Sequence, residues 1–335
     1  MRSKLGVHVN HITGADAMRD FILNARPVVV KTVHHDAVFW AEIKAEYPEL
    51  LLVGRKFCEH QRLSNPENEA EDLARWIFDS SVTYVYDVWE GYNETPANKL
   101  ERRCRFDRRM AELLHAEGLR YVAGSWSVGV PHIPRWQEPE MLDALRVADY
   151  IGVHEYCAPR MDSEFLRYPD DPDIQPEVGG YFTLRYRKWW PTLPPDCQKP
   201  VIISECGIDS GAAHWDPGAQ GGWRSFSDAQ GYLEQLEWYD QFLQQDEYVT
   251  GATIYCYGTL DPTWETFDIS GEMVGLLAEY LREQAGPPPP EGELEELRAR
   301  VAELEEENAV LGEQLAGEQA RIHEALQILS AISSV

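Results

Sequence analysis

Apolar residues in the first 285 positions fall into short dense runs separated by longer stretches with helical spacing. The runs are LGVHVN (5–10), VVVKTV (28–33), LLLVGRKF (50–57), TYVYDVW (83–89), RYVAGSW (120–126), YIGVHEY (150–156), VIISECG (201–207) and GATIYCYG (251–258). They are rich in β-branched and aromatic residues and nearly continuous in hydrophobicity, the pattern of parallel strands buried on both faces. Between them, segments 14–25, 37–46, 66–79, 98–117, 138–148, 181–190, 228–245 and 272–284 have the spacing of amphipathic helices. Ser227 and Asp228 stand as caps ahead of the stripe Tyr232, Leu233, Leu236, Tyr239 and Leu243. Eight strand–helix units within residues 1–285 predict an α/β fold, a (β/α)8 TIM barrel. A doubly wound open sheet is the alternative, but no glycine fingerprint follows any run.

At Gly286 the pattern changes. Residues 286–292, with Pro287 to Pro290, read as a stiff spacer. From 293 to 332 apolar residues recur every three and four positions: Leu294, Val301, Asn308, Leu315, Ile322 and Leu329 at a, and Leu297, Leu304, Leu311, Glu318, Ala325 and Ile332 at d. This predicts a parallel coiled-coil homodimer, because a lone Asn308 at a pairs with its copy in one register only. Glu293 facing Arg298, and Arg300 facing Glu305, add opposite charges across the seam, while Gly312, Gly317 and Glu318 weaken the second half.

Charge narrows the partners. Against 30 Lys and Arg stand 57 Asp and Glu, a net charge of −27, which disfavours nucleic acid and anionic membrane surfaces. It also makes a neutral or cationic glycan a better substrate guess than a polyanionic one. No apolar run is long enough to span a bilayer and no secretory leader stands at the N-terminus, so a cytoplasmic chain is expected, with release by lysis or a non-Sec route as the other destination. Six cysteines without a CxxC pair read as reduced thiols, and no metal site or cofactor is expected from them.

Active sites of such barrels lie at the C-terminal ends of the strands. Those positions are polar here: His8 and Asn10, His34 and His35, Arg55, then Trp89, Glu90, Gly91, Tyr92, Asn93 and Glu94, Trp126, His154 and Tyr156, Glu205, and Tyr257. Two carboxyls facing across one mouth are what glycoside hydrolysis requires, one to protonate the leaving oxygen and one to attack or stabilise the anomeric carbon. Aromatic faces such as Trp89, Trp126, Trp215, Trp223 and Trp264 suit sugar rings. Loops 157–180 and 208–227 would shape the cleft. A metal-dependent hydrolase is a competing reading from His8, His11, His34, His35, His154 and Glu155, but His8 and His11 lack the spacing of a shared-face ligand pair. A glycan-binding barrel without turnover, displayed by the coil, is the other.

These residues resemble the retaining glycoside hydrolases of the TIM-barrel clan that includes the family 5 cellulases and mannanases. The resemblance rests on Asn93–Glu94 after strand 4, His154-x-Tyr156 on strand 6, and Ser204-Glu205-x-Gly207 ending strand 7. It implies Glu94 as acid/base, Glu205 as nucleophile, Asn93 as donor to the substrate 2-hydroxyl, Tyr156 as a hydrogen-bond donor to the nucleophile, and Arg55 as a group that keeps it ionised. In that clan the Asn-Glu pair follows the strand's Trp directly. Here Glu90, Gly91 and Tyr92 intervene after Trp89, so Glu90 is a second candidate for acid/base. Tyr257 stands where many members have a Trp platform, a role that Trp264 can take from the next loop.

Overall fold

The computed structural model describes residues 2–209 and 221–285, together with Arg300 and Glu303. Two compact units divide the chain, Met1–Ala285 and Gly286–Val335. The spacer expected at 286–292 and the coil expected at 293–332 lie outside the described residues, apart from Arg300 and Glu303, which are helical and pair with each other.

In the first unit, β1 (Leu5–Val9), β2 (Val29–Thr32), β3 (Leu51–Arg55), β4 (Val88–Glu90), β5 (Arg120–Trp126), β6 (Tyr150–Cys157), β7 (Val201–Ile208) and β8 (Val249–Tyr257) close into a barrel in chain order, with β8 parallel to β1. The helices that follow the strands are α1 (Ala15–Ala25), α2 (Ala37–Glu46), α3 (Pro66–Phe78), α4 (Leu100–Ala116), α5 (Pro139–Val147), α6 (Ser163–Arg167), α7 (Tyr186–Trp189), α8 (Ala229–Leu243) and, after β8, α9 (Glu272–Ala285). Asp228 caps α8 by accepting the N–H of Gly231, and Asp36 caps α2 through Phe39. Among the described residues no helix is long and apolar enough to cross a membrane.

Two elements depart from the pattern. Strand 4 was expected over 83–89, but Val85 and Tyr86 turn back to the Val82 carbonyl and the Thr83 hydroxyl bonds Ile77 at the end of α3, leaving only Val88–Glu90 free to pair. The helix expected over 181–190 shrinks to α7. The backbone N–H groups of Tyr181, Phe182 and Thr183 go to the Glu164 carboxylate and those of Leu184 and Arg185 to Glu155, so they are not available for helical carbonyls.

Side-chain alternation sorts the barrel residues into two cores. Val29, Val53, Val88, Val122 and Ile202 form a cluster inside the barrel. Their neighbours of opposite parity, among them Val30, Leu52, Trp89, Tyr121 and Ile203, join the larger core between barrel and helices. Two positions beyond the inner valines, the same alternation brings Lys31, Arg55 and Glu90 into the barrel, above an apolar floor that closes it to water.

Candidate active site

The floor carries a polar layer whose charges balance. Lys31 and Glu90 are fully buried, with Nζ 2.6 Å from Glu90 Oε2 and 3.3 Å from Glu205 Oε1. The Arg55 guanidinium lies 3.7 Å from each of the same two carboxylates. Gly152 leaves the room Glu90 needs, since a Cβ there would stand 3.2 Å from Glu90 Oε1 and 2.9 Å from a Val122 methyl. Burial pushes the Glu90 carboxyl up, but Lys31, Arg55 and His154 overcome it and hold the group down at about 2. Glu90 is therefore an ionised structural anion.

Glu205 reaches this layer through a bulge. Val153 of β6 pairs Ile203, yet His154 pairs Glu205, so Ser204 is an extra residue on β7. Without it Glu205 would share the outward parity of Ile203; the bulge turns its carboxylate inward. The Tyr156 hydroxyl donates to Oε2 at 3.1 Å, and His8 Nδ1 stands 3.5 Å from Oε1. Burial, reinforced by Lys31, Arg55 and His154, keeps the His8 imidazole far below its usual pKa and hence neutral.

Glu94 comes from the loop after β4 and adopts φ 44°, a left-handed conformation that costs a non-glycine residue roughly 1 kcal/mol. A buried pair on α4 holds that loop. Arg103 donates to the Tyr92 carbonyl and to the Thr95 hydroxyl, bracketing Glu94 on both sides, and its partner Asp107 accepts from the Gly124 N–H and the Tyr121 hydroxyl. Next to Gly124, the Ser125 carbonyl takes the Glu94 N–H at 3.0 Å. One helix thus fixes both backbone segments between which Glu94 is pinned. His154 Nδ1 lies 2.8 Å from Glu94 Oε1 and 3.5 Å from Glu205 Oε2. Burial raises the Glu94 carboxyl, but the hydrogen bonds from His154 and Ser127 and the His154 and Lys31 charges outweigh it, so the net shift is downward.

Above these groups opens a cleft of about 1000 Å³. Of the residues expected from the sequence, Arg55, Asn93, Glu94, Tyr156, Glu205 and Trp264 line it, and His154 bridges its two carboxylates. Three expected residues are elsewhere. Trp89 has the opposite parity to Glu90 and packs outside the barrel against Trp76, Tyr86 and His35. Trp126 follows the Ser125 bulge of β5, pairs Val153, and is buried beside Arg103. A bulge at Cys256 pairs Tyr257 with outward Val9, so Tyr255 takes the cleft position, its ring edge-on to both His8 and Trp264 and its hydroxyl bonded by Asn10. Trp223 stacks on Tyr232 as a buried anchor, and Trp215 lies outside the described residues. Lys31 was missed, although a lysine inside VVVKTV carried the signal, because such a residue is rarely buried unpaired.

Among the described residues, one group has the make-up of a metal site: Glu94, His154 and Glu205, each offering an atom within 4.8 Å of the others. Lys31 and Arg55 stand on Glu205, so a cation would be placed against two positive charges already paired there. His11, which lines the cleft, packs edge to face with His34 and is not one of these three, and Glu155 points out of the barrel to the backbone of residues 184–186 and the Tyr239 hydroxyl.

No protein-family model matches the sequence, and no curated protein is significantly similar to it. Solved structures do share the fold. A GH2 β-galacturonidase from Eisenbergiella tayi is 14% identical with TM-score 0.54, covering 84% of this chain and 51% of its own. The β-glucuronidase of Faecalibacterium prausnitzii is 15% identical with TM-score 0.53, over 84% and 49% of the two chains. That of Ruminococcus gnavus is 13% identical with TM-score 0.51, over 84% and 50%. The chain spans about half the length of these neighbours and shares with them the closed eight-stranded parallel barrel seen in glycoside hydrolases.

Proposed function

We propose that the chain is a retaining glycoside hydrolase acting on O-glycosidic bonds of an oligo- or polysaccharide, with Glu205 as nucleophile and Glu94 as acid/base. One observation carries the reading: an oxygen of Glu94 and an oxygen of Glu205 lie within 4.8 Å of each other at the base of an open cleft. Retaining enzymes separate their carboxyls by about 5–5.5 Å, whereas inverting enzymes leave about 6.5–9.5 Å for a water. In the first step Glu94 gives its proton to the departing oxygen while Glu205 bonds to the anomeric carbon and the C–O bond breaks. In the second, Glu94 takes a proton from water as that water attacks the same carbon and frees Glu205. Tyr156, Lys31 and Arg55 hold the nucleophile in place. Asn93 lines the cleft with a buried Oδ1 that has no protein partner, available to a sugar hydroxyl. Glu90 is not suited to the acid role, being sealed from the cleft and ionised. The sequence resemblance to the family 5 clan belongs to this proposal, as does the tail's reading as a parallel coiled-coil dimer, which rests on the heptads alone.

The neighbours named above act on uronides by their names. Among the described residues Arg55 is the only Lys or Arg lining the cleft, and it is engaged by Glu90 and Glu205. That supports a neutral sugar at this centre. Following the first-formed product by proton NMR tests the mechanism: it should carry the substrate's anomeric configuration, and inversion would overturn the double displacement. A barrel that only binds glycans would release no product.

The Glu94 environment also sets a pH dependence. The acid must be protonated in the free enzyme, and its pKa lies below the usual carboxylate value, so kcat/KM should already fall as pH rises toward the ordinary carboxylate range from below. The Glu94 side chain is 39% exposed. Bound sugar removes that water, strengthens the desolvation that raises the pKa, and should place the alkaline limb of kcat at higher pH than that of kcat/KM. Coincident limbs would contradict this account.

A further inference from the structure

Beside the catalytic cleft lies a second cavity of about 870 Å³, built from the segment between β6 and α7. Phe182 lines both cavities, and the wall residues Cys157 and Ala158 follow directly on Tyr156, the donor to Glu205. Three apolar side chains are left in water around it: Leu166 at 64% exposure, Tyr168 at 44% and Tyr181 at 50%. A cluster of exposed apolar groups beside a cleft marks a binding surface more often than scattered single residues do.

This surface is preformed. The buried Glu164 carboxylate accepts the N–H groups of Tyr181, Phe182 and Thr183 at 2.6, 3.0 and 2.9 Å. Gly180 lets it approach, since a Cβ there would fall 2.1 Å from Glu164 Oε1. Buried Glu155 takes the next two N–H groups, of Leu184 and Arg185, at 2.7 Å each. Two buried carboxylates thus hold one rib, and the rib presents Tyr181 to solvent and Phe182 to both cavities.

Resting on the hydrolase reading above, we infer that the second cavity is a distal subsite for further sugars of the glycan whose scissile bond lies between Glu94 and Glu205. Its occupant follows from continuity and chemistry. A chain leaving the catalytic cleft past Phe182 enters this cavity, and a pyranose has an apolar C–H face for the Tyr168 and Tyr181 rings with hydroxyls at its edge for Arg160 and Asp171 on the rim. The substrate class is therefore a glycan of several units.

The test uses the full chain and an array of neutral gluco-, manno- and galacto-oligosaccharides from monosaccharide to hexasaccharide. Wild-type retention should rise with length. Tyr168→Ala combined with Tyr181→Ala, both at exposed positions that leave the core untouched, should weaken hexasaccharide retention about tenfold and bring it toward that of the disaccharide. Equal retention by variant and wild type, retention independent of length, or no retention by the wild type would each overturn the subsite. Aryl-glycoside turnover by the wild type, measured alongside, separates the two ideas. Turnover with length-independent retention removes only the subsite, whereas no turnover of any aryl glycoside removes the hydrolase reading and the subsite with it.

Discussion

Glu205→Gln is expected to lower kcat on an activated aryl glycoside by at least about 10³-fold, or roughly 4 kcal/mol of transition-state stabilisation, because no carboxylate remains to form the glycosyl intermediate. Glu94→Gln should cost about 10²–10⁴-fold, the usual share of a positioned acid/base. Leaving groups separate the two. A phenol of low pKa departs without much help, so the Glu94 variant should lose least on that substrate and most on an alkyl glycoside, whereas the Glu205 variant should be crippled on both. Steady-state kinetics on such a pair reads the difference. Wild-type rates in the Glu205 variant would sink the assignment, and a leaving-group profile unchanged by Glu94→Gln would move the acid/base role elsewhere. Glu205→Gln also leaves Lys31 and Arg55 facing Glu90 alone, so a moderate loss of stability is expected beside the catalytic one.

Lys31→Met should destabilise the barrel by about 3–5 kcal/mol, the range for removing one partner of a buried ion pair. Glu90 has no exposed surface, and its strongest partner is the ammonium 2.6 Å away; Arg55 at 3.7 Å compensates only in part. Denaturant unfolding near pH 7 is the appropriate measurement. The folded pKa of Glu90 is depressed from 4.5 to about 2, so its contribution is complete above the ordinary carboxylate range and is lost only as pH falls through the folded value. Adding Glu90→Leu to Lys31→Met removes the stranded charge and should recover most of the stability. It should not recover turnover, since Lys31 also stands 3.3 Å from Glu205. A Lys31→Met protein within about 1 kcal/mol of wild type would show that Arg55 alone satisfies the layer.

Much of this could be read along the chain, and the reason is local. A strand covered by helices on one side and by other strands on the other has no polar face, so eight continuous apolar runs at regular spacing already imply the closed barrel, and a carboxylate at the end of VIIS must serve something. Asp228 ahead of the stripe of α8 was legible for the same reason, since a cap acts within a few residues. The site's membership depended on parity. Each of the bulges at Ser204, Ser125 and Cys256 inserts one residue, and one residue reverses the face of everything beyond it. That single physical fact turned Glu205 into the cleft and left Trp126 and Tyr257 in the outer core, whereas Tyr255, ahead of the Cys256 bulge, keeps the inward parity of its partner His8. Trp89 was misplaced by the neighbouring question, which of two adjacent residues faces in, and Glu90 won that position because Lys31 and Arg55 were there to pair with it. The Arg103–Asp107 support of Glu94 likewise appears only in three dimensions, since it joins one helix to the loop after β4 and to strand β5 by hydrogen bonds that no spacing announces. Hydrophobic pattern, a property of each segment alone, determined the barrel; register, a property of pairs of segments, decided which side chains meet inside it.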